Sequence, residues 1–125
     1  MPTRNDMANL VACLGSGQGT WAQVMKVVDS PSWEHVFLVM PVFFAEKFQN
    51  VKKNLTVIKI NESDDIPVMS AHIQKELDGK LFADVGVNLI SGSGKEHMAV
   101  LSALLKLGCG IRLVAFTEKE GFKEL

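Results

Sequence analysis

The chain has 125 residues, 47% hydrophobic and 22% charged, which fits one globular domain spanning residues 1–125 around a single core. Its 13 basic side chains against 14 acidic ones leave almost no net charge, which excludes a surface built to neutralise many phosphates of duplex nucleic acid. The two cysteines, Cys13 and Cys109, show no CxxC spacing and no histidine cluster, so no zinc site or disulfide framework is expected and both read as buried free thiols.

The segment from Met1 to Asp6 is polar, and no apolar run approaches the length of a membrane span, so a cytoplasmic protein without a membrane partner is expected. Residues 9–14 form a short apolar run ended by glycine and read as a buried first strand. After Gly15-Ser16-Gly17-Gln18-Gly19-Thr20, the apolar residues Trp21, Val24, Met25 and Val28 recur at helical spacing, and Asp29, Ser30 and Pro31 stop that helix. Residues 35–40 read as a second strand ended by Pro41, with a short helix from Phe43 to Gln49. The β-branched run 55–60 predicts a third strand. Asp64 and Asp65 are expected to cap a helix running to about Gly79, with Ile66, Met69, Ile73 and Leu77 as its apolar stripe.

A fourth strand over 85–90 opens onto a second glycine turn, Ser91-Gly92-Ser93-Gly94-Lys95, and a helix from His97 to Leu107 stops at Gly108. A fifth strand over 111–116 leads into a polar tail from Thr117. Strands alternating with helices at this spacing predict an α/β domain, a Rossmann-like three-layer sandwich with a mainly parallel five-stranded sheet. The last helix is apolar on more than one stripe between Met98 and Leu107, so its second face is either buried within the chain or forms a homodimer interface.

The two glycine turns carry the functional argument. A strand-to-helix turn exposes unpaired amides and the positive end of the helix dipole, and missing side chains let an anion reach them. The first turn has Gly15-x-Gly17-x-Gly19 spacing, Trp21 follows it, and Met40-Pro41 stands where a ribose-binding carboxylate belongs, so no NAD site and no cofactor is expected. The second turn lacks the first glycine of a triphosphate loop, where Leu89 stands, and Glu96 replaces the hydroxyl residue that would hold magnesium. The candidate ligand-binding residues are therefore Gly15, Ser16, Gly17, Gln18, Gly19 and Thr20 with Ser91, Gly92, Ser93, Gly94, Lys95 and His97. The plainer reading makes the glycines tight turns and leaves Lys95 and His97 as solvated residues at a helix start. Adjacent first and fourth strands would open both turns into one crevice. His35 and His72 read as structural, and no metal-ligand cluster or catalytic triad stands out.

From Val87 to Ala99 the sequence resembles the strand-four motif of CRISPR-associated Rossmann-fold (CARF) domains. In that family a strand ends in Asn and a hydrophobic residue, followed by a small glycine-hydroxyl turn closed by Lys or Arg; here these are Asn88, Leu89 and Ser91 to Lys95, with Ile90 additional and Ser93 and Gly94 in exchanged order. The resemblance implies a homodimer that binds a cyclic oligoadenylate across its two-fold axis, with both glycine turns contacting phosphates and riboses. It also implies a stand-alone sensor, a partner of a separate effector, or a metal-independent ring nuclease. An interaction module without a nucleotide ligand is the third reading that these residues allow.

Overall fold

A computed structural model describes residues 7–15, 18–29, 33–49 and 52–125. Among these residues six strands and four helices follow in chain order: β1 (Met7–Cys13), α1 (Trp21–Asp29), β2 (His35–Pro41), α2 (Val42–Ala45), β3 (Leu55–Ile60), α3 (Ile66–Leu77), β4 (Asp84–Asn88), α4 (Gly94–Lys106), β5 (Gly110–Thr117) and β6 (Gly121–Glu124). They form one α/β sheet in the order β3-β2-β1-β4-β5-β6, parallel throughout except for β6. The sequence reverses direction across the sheet between β1 and β4, which pair directly, with Leu10 opposite Gly86 and Val11 opposite Val87. This is the topological switch point at which open α/β sheets bind ligands.

Alternation along the strands divides the core. Leu10, Ala12 and Leu14 pack with Val24, Val27 and Val28 of α1, whereas Val11 and Cys13 pack with Met69, Ile73 and Leu77 of α3 and with Ala99, Val100, Ala103 and Leu104 of α4. Much of the wide apolar surface of α4 is thus buried within its own chain. An outer stripe remains, with Met98 and Leu105 59% and 67% exposed and Leu101 half-buried between them.

The sheet has six strands where the sequence predicts five. The polar segment 118–120 is a turn, not the start of a tail: the Glu120 amide donates to Thr117 Oγ1 at 2.9 Å, and the chain returns as β6 against β5. Arg112 of β5 donates through Nε and Nη2 to the Glu124 carboxylate at 2.8 and 2.5 Å, and the Phe122 ring meets Trp33 edge-on at 6.0 Å. Two boundaries and one cap also differ. The helix after Pro41 is one turn, Val42–Ala45, and does not reach Gln49. Strand β4 ends at Asn88 instead of position 90, because the Asn88 side chain takes over the edge: Nδ2 donates to the Val114 carbonyl at 2.8 Å and Oδ1 accepts from the Ile90 amide at 3.3 Å. Asp65 occupies the position before α3 but makes no side-chain capping bond; Pro67, in the first turn, has no amide to be capped. The expected stop of α1 at Ser30 and Pro31 lies outside the described residues.

Cys13 is fully enclosed at the end of β1, and Cys109 is half-buried beside β5. Burial, and secondarily the Glu96 carboxylate, push the Cys13 thiol far above its ordinary range. Above about pH 8.5 an unfolded thiol loses its proton while the folded one keeps it, so the native state binds more protons and stability falls as pH rises. Between about pH 8.5 and 10, urea unfolding under reducing conditions should show this loss with a slope approaching about 1.4 kcal/mol per pH unit. The chain has no tyrosine to add to that slope; burial also raises the Cys109 thiol, so Cys13→Ala, although less stable at neutral pH, should lessen the slope without abolishing it.

Candidate functional site

The two glycine turns leave the same edge of the sheet and touch. The Gly15 amide donates to Ser91 Oγ at 2.8 Å, and Ser91 is buried. A Cβ on Gly15 would lie 2.6 Å from Gly92 Cα and 2.7 Å from its nitrogen, so the two backbones approach as closely as hydrogen at Gly15 permits. The Gly15 carbonyl accepts from Trp21 Nε1 at 2.7 Å. Trp21, which replaces the small residue of a dinucleotide loop, therefore ties the turn down instead of blocking it. Both polar groups of Gly15 are engaged in holding the turns together.

Ser16 and Gly17 lie outside the described residues. Gln18–Thr20 forms a short 3-10 turn into α1; Gly19 is exposed and Thr20 borders the cleft. Across from it, Gly92 has φ +96°, and its backbone passes over Cys13 and Glu96. Helix α4 starts at Gly94, three residues before the predicted start at His97, because Ser93 and Glu96 form a capping box. The Ser93 amide donates to Glu96 Oε1 at 3.0 Å, and the Glu96 amide donates to Ser93 Oγ at 3.4 Å.

The two cationic candidates are both held by backbone carbonyls. Lys95 Nζ donates to the Glu62 carbonyl at 2.7 Å, across from the loop after β3. His97 Nε2 lies 2.8 Å from the Ser91 carbonyl; an oxygen acceptor there requires the proton on Nε2. Among the described residues, the amides of Gly92, Gly94 and Lys95 have no acceptor. A cleft of about 290 Å3 opens beside them, lined by Thr20, Glu62, Ile90, Ser91, Gly92, Ser93 and Glu96, so that of the three amides Gly92 belongs to its wall.

A second cleft of about 460 Å3 adjoins it and shares Glu62; Pro41, Val42, Phe43 and Ile60 supply its apolar wall, with Phe43 47% exposed. The other two histidines lie elsewhere. His72 bonds through Nε2 to the Lys59 carbonyl at 2.8 Å, and His35 lies beside Thr56 at the far end of β2. Among the described residues no group of three or more His, Cys, Asp or Glu side chains could hold a metal ion. Among them, too, no helix is long and apolar enough to cross a membrane.

Sequence reasoning missed Glu96 and Glu62. The first was readable as the S-x-x-E spacing of a capping box, Ser93 to Glu96. Glu62 acts through its carbonyl, which carries no sequence signal. Compared with known proteins, the chain matches no family model, and no curated protein is significantly similar to it.

The contact between the turns separates two kinds of glycine. Gly15→Ala drives a Cβ into the Gly92 backbone, which cannot rotate away, and should cost about 1–3 kcal/mol in urea unfolding. Gly94→Ala meets nothing within 4 Å in the first turn of α4 and should be neutral or stabilising by up to about 1 kcal/mol. The opposite ranking would show that the turns do not touch.

Proposed function

We propose that this chain is a Rossmann-like three-layer domain that senses a phosphate-bearing nucleotide, similar in role to CARF domains that bind cyclic oligoadenylate. The observation that carries the reading is the packing of Gly15 on Gly92 at the switch point between β1 and β4, which joins both turns in one cleft wall. A phosphate accepts from the free amides of Gly92, Gly94 and Lys95 at the positive end of α4, and the Lys95 ammonium swings from the Glu62 carbonyl to the anion. The neighbouring apolar cleft gives a base a surface on Phe43.

Sensing is favoured over ring cleavage because His97 donates to the Ser91 carbonyl, a bond that holds the turn, and so does not stand as a free general acid or base. The outer stripe of α4, with Met98 and Leu105 exposed and Leu101 half-buried between them, supports a homodimer in which the helices following the two sites meet.

Titration calorimetry with cyclic tetra-adenylate, cyclic hexa-adenylate, linear oligoadenylate and ADP should give saturable heat with at least one of them. Lys95→Ala should weaken that binding about 10- to 100-fold through loss of a charge-assisted bond. Absence of heat with all four ligands overturns the reading. Sedimentation should give twice the 13.7 kDa of one chain, and Leu105→Asp, at an exposed position, should return the monomer with unchanged secondary structure.

A further inference from the structure

At the opposite edge of the sheet, roughly 15–20 Å along β1 from the glycine turns, a separate cleft of about 420 Å3 opens. It lies beside Asn9 of β1, His35 and Phe37 of β2, Thr56 of β3, and the loop after α3 that carries Lys80 and Phe82. Strand register explains the assembly: Asn9 pairs with His35 and Phe37 with Thr56, while His35 and Phe37 are two residues apart on one strand face. The His35 and Phe37 rings lie 4.7 Å apart, and His35 Nε2 is 2.6 Å from Thr56 Oγ1, which fixes the imidazole in place.

Two observations point to an occupant. The first is Asn9, only 2% exposed. Its Oδ1 accepts from the Phe82 amide at 3.1 Å, which assigns the other amide atom as Nδ2, with two protons to donate. Nδ2 has no hydrogen-bond partner among the described residues. The one fully enclosed side-chain polar atom without a partner among those residues is Ser70 Oγ, so Asn9 Nδ2 retains contact with open space, and the space Asn9 borders is this cleft. A buried carboxamide whose donors have no protein partner, set in a cleft wall, offers hydrogen bonds to an occupant that exchanges for water there.

The second is the loop. Phe82 is 63% exposed although its backbone is pinned to Asn9, and the next residue, Ala83, has φ +56°, a left-handed conformation costing a non-glycine residue about 1–2 kcal/mol. The strained backbone holds an aromatic ring at the cleft mouth facing solvent.

We propose that this cleft binds a small, neutral, planar heteroaromatic ring that carries a hydrogen-bond acceptor. Planarity follows from the Phe82 ring exposed at the mouth and the His35 ring on the wall, which offer stacking surfaces, with the buried Phe37 ring backing His35 from the core. The acceptor follows from the unused Asn9 donors. Neutrality follows from the rim, where Glu34 and Lys80 supply one charge of each sign. The volume is that of a small-molecule site. The site is independent of the glycine turns and of the reading given to them.

The test uses the 15N-labelled full chain in two-dimensional NMR, with nicotinamide and adenine as probes and cyclohexanecarboxamide as the non-planar control. At least one aromatic probe should shift the Asn9 side-chain and Phe82 backbone resonances saturably, and the control should not. Phe82→Ala, at an exposed position that leaves the core intact, should weaken binding about tenfold, and Phe82→Trp should restore it. Asn9→Asp keeps the acceptor for the Phe82 amide but removes the donors and should also weaken binding about tenfold. The proposal is overturned if neither ring shifts these resonances, if the control shifts them equally, if a probe shifts only Gly92 to Lys95, or if Phe82→Ala binds unchanged.

Discussion

The structure depends on one close approach, that of the Gly15 backbone to the Gly92 backbone, sealed by the Gly15 amide on Ser91 Oγ. Parallel pairing of β1 with β4 makes that approach possible, because it sends both chains out of the sheet at the same edge with their carboxyl ends side by side. A side chain at position 15 would hold the turns apart. A residue other than glycine at position 92 would have to adopt φ +96° with its Cβ 2.7 Å from Glu96 Oε1. The glycines are therefore required first by packing, and the open amides at the start of α4 are a consequence of that packing.

The electrostatics of the site follow from how α4 begins. Glu96 reaches back to the Ser93 amide and completes a capping box, which suits the positive end of the helix dipole. Lys95 and His97 sit in the same first turn against the dipole's preference, yet each donates to a carbonyl, at Glu62 and Ser91. His97 stabilises the turn it follows, since its bond to Ser91 fixes the residue whose hydroxyl holds Gly15. Lys95 differs: its partner is an exposed loop carbonyl, an exchangeable interaction that water or an anion replaces at little cost. Of the two cations, only Lys95 can turn to a ligand without loosening the turns.

Much of this architecture was legible in the sequence, and what was not has physical causes. Five strands and the two glycine turns stand out because apolar β-branched runs end abruptly at glycine or proline. The sixth strand did not, since four residues with Lys123 and Glu124 among them show no alternation, and they pair only because Thr117 and Gly121 turn the chain back. Strand order is invisible to local pattern, so the adjacency of β1 and β4 could be assumed but not read. Ser91 and Gly15 read as ligand contacts because sequence shows which groups exist at a turn and not which already have partners, here each other and Trp21. His35 reads as structural in the sequence; in the fold its Nε2 lies 2.6 Å from Thr56 Oγ1, and its ring also walls a cleft that exists only once three strand starts and the loop after α3 are brought together.

Trp21 shows how a residue unsuited to a known motif defines a different site. In a dinucleotide loop its bulk would keep helix and strand apart. Here its indole nitrogen satisfies the Gly15 carbonyl while its ring meets Phe44 edge-on at 5.4 Å, and Phe44 lies 4.4 Å from the ring of Phe43. Phe43 in turn lines the apolar cleft that shares Glu62 with the glycine-turn cleft. The polar wall and the apolar wall are thus one continuous set of contacts, from Ser91 through Gly15, Trp21 and Phe44 to Phe43. Under the proposed reading, a ligand with an anionic end and an aromatic end would meet both walls, a preorganisation that a single glycine turn could not supply.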